Sequence, residues 1–172
     1  MMFRGWTLIQ RGQLEEGIEQ IRQGLAGWYA TGAVSLVLYP LLLTEAHLRM
    51  GQVAEGLAVL EETFSAIGKT GEGNIEAELY RLKGELLRMG GANEDEVEAC
   101  FRQAIKIARR QSAKSWELRA TTSLCRLWQA QGRKEEARQM LAEIYGWFTE
   151  GFDTRDLQEA KGLLEELRER TP

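Results

Sequence analysis

Apolar residues along this chain recur at steps of three and four. Leu57, Leu60, Phe64 and Ile67 form one such series, and Val97, Phe101, Ile105 and Ala108 another. That spacing lays a continuous apolar stripe along one side of an α-helix. No segment alternates apolar and polar residues as a half-buried strand would. The pattern predicts helices over 2–11, 13–30, 34–50, 53–67, 75–89, 94–111, 115–130, 134–148 and 154–169. Glycine closes helices because it adopts the left-handed conformation at low cost. It is expected at Gly51, Gly90 or Gly91, and Gly132 within helix pairs, and at Gly32, Gly68 and Gly71 between pairs. Pro40 conflicts with the helix over 34–50, because an interior proline removes a hydrogen bond. That helix either begins near Tyr39 or bends there.

The helices repeat in pairs. Leu-Arg-Met-Gly stands at residues 48–51 and again at 87–90, an offset of 39 residues. Gly12, in Gln10-Arg11-Gly12-Gln13, precedes Gly51 by 39 residues, and Gly132 follows Gly90 by 42. An acidic amphipathic segment follows each turn, beginning at Leu14, Val53, Glu96 and Lys134. A pattern held four times at one spacing marks a repeat array. The expected organisation is one all-α domain over residues 1–172, with repeats at about 1–32, 33–72, 73–113 and 114–150. The last predicted helix, 154–169, carries Leu157, Ala160, Leu163, Leu164 and Leu167 on one side and charges on the other, as an end cap requires.

Composition narrows the function. The chain is 44% hydrophobic and 28% charged, which excludes a disordered class. A net charge of −4 argues against nucleic acid. The longest apolar stretch, Ala33 to Leu43, is interrupted by Ser35 and Pro40 and falls short of the ~20 residues a membrane span needs. No secretory signal is visible, and two cysteines, Cys100 and Cys125, suit a reducing cytoplasm. With one histidine, His47, and three aspartates, Asp95, Asp153 and Asp156, no nucleophile–base or metal constellation can be assembled. Neither catalysis nor a cofactor is expected.

Small residues such as Gly84 or Thr44 in a first helix, set against Phe101, Ala104 and Ala137 in a second, resemble the tetratricopeptide repeat. The period is about five residues longer than the ~34 of the common repeat. The segments Ala77–Leu87, Glu98–Gln111 and Ile144–Thr154 resemble the C-terminal repeat tail of bacterial class III adenylate/guanylate cyclases that carry a predicted ATPase domain. The resemblance implies a tetratricopeptide-like helix-pair solenoid, a right-handed superhelix of about four repeats plus a C-terminal capping helix. It also implies a non-catalytic protein-interaction or scaffolding module in the regulatory tail of a signalling protein. Neither a cyclase nor an ATPase domain stands in this sequence.

In such a solenoid the first helices line a groove for a protein or peptide partner. The tetratricopeptide pattern places Glu78, Arg81, Glu85 and Arg88 of the third copy there, and Arg119, Thr122, Arg126 and Gln129 of the fourth. Guanidinium forks suit carboxylates, so an acidic segment or chain terminus is the expected ligand. On that reading, reversing Arg81 and Arg126 to glutamate abolishes capture at little cost in thermal stability. The bland alternative has these arginines pairing with Glu78 and Glu85 along their own helix. A second functional reading is a ligand-sensing solenoid for a small molecule or signalling peptide, supported by groove-facing Tyr39 and Tyr80. The first helix carries Phe3, Trp6, Leu8 and Ile9 with little polar cover, so the chain is expected to be part of a longer protein, or to form a homodimer through its N-terminal helix pair.

Other motifs have plainer readings. Gly68-Lys69-Thr70 imitates the end of a phosphate-binding loop, but Thr63 stands where that loop needs glycine, so Gly68 reads as a helix cap. His47 reads as a packing or surface residue, and both cysteines as small buried hydrophobes. Lys106, Arg109, Arg110 and Lys114 complement a helix C-terminus. Glu15-Glu16, Glu61-Glu62, Glu135-Glu136 and Glu165-Glu166 are solvated faces, because neighbours one apart on a helix diverge. Tyr145, Trp147, Phe148 and Phe152 have two readings, an aromatic docking surface or, the one favoured, a hydrophobic hinge that glues the cap. The tryptophans (Trp6, Trp28, Trp116, Trp128, Trp147) are expected to lie mostly in the core.

Overall fold

A computed structural model describes residues 2–30, 38–70 and 74–168. Among the described residues there are nine α-helices and no strands. The chain forms two compact units, Met1–Ile75 and Glu76–Pro172. The first holds α1 (Met2–Gln10), α2 (Leu14–Ala30), α3 (Leu38–Met50) and α4 (Val53–Thr70). The second holds α5 (Glu76–Met89), α6 (Glu94–Arg110), α7 (Lys114–Ala130), α8 (Lys134–Tyr145) and α9 (Arg155–Arg168).

The pair turns share one geometry. Gly12, Gly51, Gly91 and Gly132 have φ of 82°, 71°, 75° and 79°. The residue after each glycine donates its N–H to a carbonyl five residues back: Gln13 to Leu8, Gln52 to His47, Ala92 to Leu87 and Arg133 to Trp128, all within 2.8–3.0 Å. This motif satisfies carbonyls that a helix end leaves without partners. Gly91, and not Gly90, is therefore the turn glycine of the third pair. The third turn also carries one extra residue, Asn93, whose side chain caps α6 by accepting from the Asp95 N–H at 2.8 Å.

Counting back seven residues from each turn glycine gives Gly5, Thr44, Gly84 and Cys125, all buried. At that position the second helix of the pair crosses the first closely. A Cβ on Gly84 would lie 2.5 Å from the Phe101 ring, and one on Gly5 would lie 2.7 Å from the Gly17 carbonyl oxygen. The matching large residues of the second helices are Ile21, Leu60, Phe101 and Leu141, every one fully buried. In the first unit Ile9, Ile18, Ile21, Leu25, Leu43 and Ala46 make a continuous core, with Trp6 and Met50 against it. In the second, Phe101, Leu124, Trp128, Leu141, Leu157 and Leu164 anchor a larger one.

Several expectations change. Gly68 lies inside α4 and caps nothing, because the helix continues through Thr70. Gly32 and Gly71 fall outside the described residues. The link from α6 to α7 is closed without glycine: Ser112 takes φ 55°, and Ala113 donates to the Ala108 carbonyl at 2.9 Å. The helix expected to reach residue 148 ends at Tyr145, with Gly146 as its cap. Pro40 stands near the start of the described part of α3, where a missing N–H costs least, and its carbonyl accepts from Thr44 Oγ1 at 2.9 Å. Residues 34–37, which the sequence also placed in this helix, are outside the described residues. Ile9 of α1 is buried, so that helix is not open along its whole apolar side.

Two substitutions test this packing. Gly84→Ala should cost about 1–3 kcal/mol by overpacking, offset by about 1 kcal/mol of helix propensity. Chemical denaturation should show the penalty shrinking when Phe101→Leu is already present, since the smaller side chain makes room. Ser112→Gly should stabilise by about 1 kcal/mol, because it relieves a left-handed non-glycine residue. A lowered unfolding midpoint would contradict that.

Candidate functional site

The eight residues predicted to line a groove fall on α5 and α7, which pack together in the second unit, with α7 also against α9. On α5, Arg81 grips Glu78 with both arms of its fork: Nε to Oε2 at 2.9 Å and Nη2 to Oε1 at 2.7 Å. Glu78 is only 2% exposed. From α7, Arg119 Nη1 reaches the same carboxylate at 2.9 Å. Two guanidinium groups therefore meet one buried acid and tie the helices together. One heptad along, Glu85 accepts from Arg88 Nη2 at 3.0 Å and from Ser123 Oγ of α7 at 2.6 Å. The expected neighbours along α5 do pair, and in addition the pairs cross to α7.

The same row continues onto α9. Arg119 Nε lies 3.7 Å from Asp156, Arg126 Nη2 donates to Glu159 at 3.3 Å, and Gln129 Nε2 donates to Glu166 at 3.2 Å. Burial raises the Glu159 pKa, but the hydrogen bond from Arg155 and the charge of Arg126 outweigh it and hold this carboxyl below its usual range. Seven of the eight predicted residues thus join one polar strip. Thr122 does not: it is buried, and its hydroxyl donates to the Leu118 carbonyl at 2.8 Å. Ser123, Asp156, Glu159 and Glu166 belong to the strip and were missed. The α9 acids are spaced three and seven residues apart, a signal readable once this helix is treated as a further first helix.

Elsewhere, charge and aromatic clusters serve packing. Glu117 is buried, with Arg109 Nε at 2.7 Å and Lys114 Nζ at 2.8 Å. Burial pushes its pKa up, and the bonds from Lys114 and Arg109 bring it below the ordinary value. Arg110 pairs with Glu76 at 3.5 Å, so much of the basic run at the end of α6 is neutralised locally. Trp128 donates to Glu98 at 3.0 Å and lies against two guanidinium groups, Arg102 at 5.2 Å and Arg133 at 4.3 Å from the ring centroid.

Trp128 is core as expected, but Trp147 is 57% exposed and touches Phe148 edge-on, with Lys114 Nζ 5.8 Å from its ring. Phe148 and Tyr145 pack on the core, and Phe152, also exposed, meets Tyr145 at 5.8 Å. The hinge is therefore half buried, because α8 ends at Tyr145 and the aromatic residues beyond it leave the helix.

His47 is buried. Its Nδ1 lies 2.7 Å from Gln52 Oε1, and its Nε2 is 3.4 Å from an Arg22 nitrogen. It is a satisfied packing residue. Burial pushes the Cys125 thiol up to about 12 and raises Cys100 as well, so neither offers a ready thiolate. Tyr80 is half-buried and packs against Ala77, Ile107 and Ala108. The Tyr39 side chain is outside the described residues. No cluster of three or more His, Cys, Asp or Glu residues is placed to hold a metal among the described residues. No helix among them is long and apolar enough to cross a membrane.

The profile of the tetratricopeptide repeat family matches residues 118–143, which run from α7 into α8. A crystal structure of a Podosopora anserina protein assigned as a kinesin light chain, with nearly identical TPR-like repeats, aligns with TM-score 0.67 at 21% identity, covering 97% of this chain and 91% of that one. A single-substitution variant of the same protein aligns with TM-score 0.68 at 20% identity over the same shares. The fold is an all-α, tetratricopeptide-like helix-pair solenoid. No curated protein matches the chain. Repeats of this type generally mediate protein–protein interactions, and identity at this level establishes the fold alone.

The pairing changes what a charge reversal should do. Arg81→Glu would set a third carboxylate beside buried Glu78 and Glu85, at a cost of about 3 kcal/mol. Arg126 is 48% exposed, so Arg126→Glu should cost no more than about 1 kcal/mol. Urea unfolding of each single variant checks the contrast, and equal midpoints would refute it.

Proposed function

We propose that this chain is a non-catalytic protein-interaction or scaffolding module whose binding face is the polar strip on α5 and α7. In this reading Arg81, Glu85, Arg88, Arg119, Arg126 and Gln129 face a protein or peptide partner that presents carboxylates, and Glu78, which is buried, positions Arg81 and Arg119 from beneath. The observation that carries it is the alignment of these side chains in one row by Arg119–Glu78 and Ser123–Glu85, bonds that span two helices. Arg88 and Arg126, both exposed, are the cations within easiest reach of a partner. The strip holds fixed donors in fork geometry, which suits recognition of acidic groups more than catalysis.

The wider context we propose is the regulatory tail of a bacterial cyclase/ATPase signalling protein acting in the cytoplasm. It is supported by the segments Ala77–Leu87, Glu98–Gln111 and Ile144–Thr154. In sequence terms residues 1–172 are read as one domain of four repeats with a cap at 154–169. Pairing of two chains through α1 and α2 belongs to the same proposal, since Trp6 and Leu8 of α1 are only half covered.

Two measurements test it. An immunoblot of the cell the protein comes from should show a product far above 19.5 kDa, and a band at 19.5 kDa would replace the signalling tail with a free adaptor. Affinity capture should then compare the wild type with Arg88→Glu/Arg126→Glu, a pair chosen because both side chains are exposed. Capture should fall about tenfold or more in the variant. The strip is not the binding face if both proteins retain the same partners equally.

A further inference from the structure

Three of the proposed contacts on α7 already have an acidic companion on α9. Arg119 faces Asp156, Arg126 bonds Glu159 and Gln129 bonds Glu166. These acids stand on one side of α9. Its other side carries Leu157, Ala160, Leu163, Leu164 and Leu167, all buried in the core of the second unit. The helix therefore does two separable things. Its leucines hold it in place, and its acids meet the donors of α7. Ion pairs this open to water contribute little to holding a helix.

We propose that α9 is an internal pseudo-ligand: its Asp156, Glu159 and Glu166 carboxylates occupy the α7 donors that an acidic partner segment would take, so binding proceeds by exchange of one carboxylate for another. This rests on the reading of the strip as the binding face. The exchange costs the displaced acids little, because Asp156 and Glu166 are open to water. Glu159 also accepts from Arg155 Nε at 2.7 Å, so it keeps a cation when a partner takes Arg126. Arg119 keeps Glu78 at 2.9 Å when Asp156 is displaced. A partner with one isolated acid gains nothing from such an exchange. A segment with several acids in register replaces all three contacts together, which favours a run of acidic residues as the cognate chemistry.

The test is fluorescence anisotropy with a labelled hexaglutamate peptide and the full chain at low salt, where charge contacts are least screened. The key variant, Asp156→Asn/Glu159→Gln/Glu166→Gln, keeps every buried leucine of α9, and its circular-dichroism melt should match the wild type. Its affinity for the peptide should rise about tenfold, the sum of three weak competing contacts. Adding Arg126→Gln should remove the share of the gain that comes from Glu159, about two- to threefold. Neutralising Glu15, Glu61 and Glu62 instead changes net charge equally and should give no gain. If the triple variant melts early, Glu159→Gln alone replaces it, with a gain of about two- to threefold expected.

Equal affinity of wild type and variant overturns the pseudo-ligand, as does a gain that Arg126→Gln leaves undiminished or that appears in the control. Where wild type and variant bind equally and both depend on Arg126, the strip remains the binding face and only the exchange fails. Where neither binds the peptide at all, both ideas fall.

Discussion

The absence of a side chain at Gly84 lets α5 and α6 approach until the Phe101 ring fills the space a Cβ would need. Equivalent positions in the other pairs hold Gly5, Thr44 and Cys125, and each pair has one large apolar residue in its second helix. Close crossing fixes the angle and height at which two helices meet, because a packed core tolerates little change in volume. Once those are set, the pair turn has to be short, and a short turn needs the left-handed residue found at Gly12, Gly51, Gly91 and Gly132. The turn and the crossing are seven residues apart in every copy. They are two ends of one constraint.

That constraint also brings the charged faces together. With α5, α7 and α9 held in a row, residues at heptad spacing on each helix come within reach of their neighbours. Glu78 then collects Arg81 and Arg119, and Glu85 collects Arg88 and Ser123. A carboxylate as buried as Glu78 is tolerable only with such partners, since an unpaired buried charge is costly. The strip is therefore partly structural and partly available. Its inner contacts hold helices, while Arg88 and Arg126 face solvent.

Much of the fold was legible in the order of residues. The duplicated Leu-Arg-Met-Gly marked the turns, and the three- and four-residue steps marked the helices to within a few residues. Both signals are local, because a helix is stabilised by neighbours three and four apart and a turn by one residue's φ. The misses have physical reasons as well. Ser112 closes a helix without glycine, at a conformational cost that composition does not reveal. Gly68 resembles a cap in sequence, yet α4 runs past it because a lone glycine costs a helix only about 1 kcal/mol. Trp147 reads as core by residue type, but α8 stops two residues earlier and turns it outward.

The sequence by itself determined that this is a chain of paired helices with small residues at the crossings, glycine turns and a leucine-faced final helix. Seven of the eight residues picked out through the resemblance to the tetratricopeptide pattern share the polar strip. Only the tertiary structure decided which charge meets which. Ser123 finds Glu85 at a separation of 38 residues, Arg126 finds Glu159 at 33, and Trp128 finds Glu98 at 30. Such partners are chosen by how two helices stack, a relation that depends on side-chain volumes across the whole core and not on any local pattern.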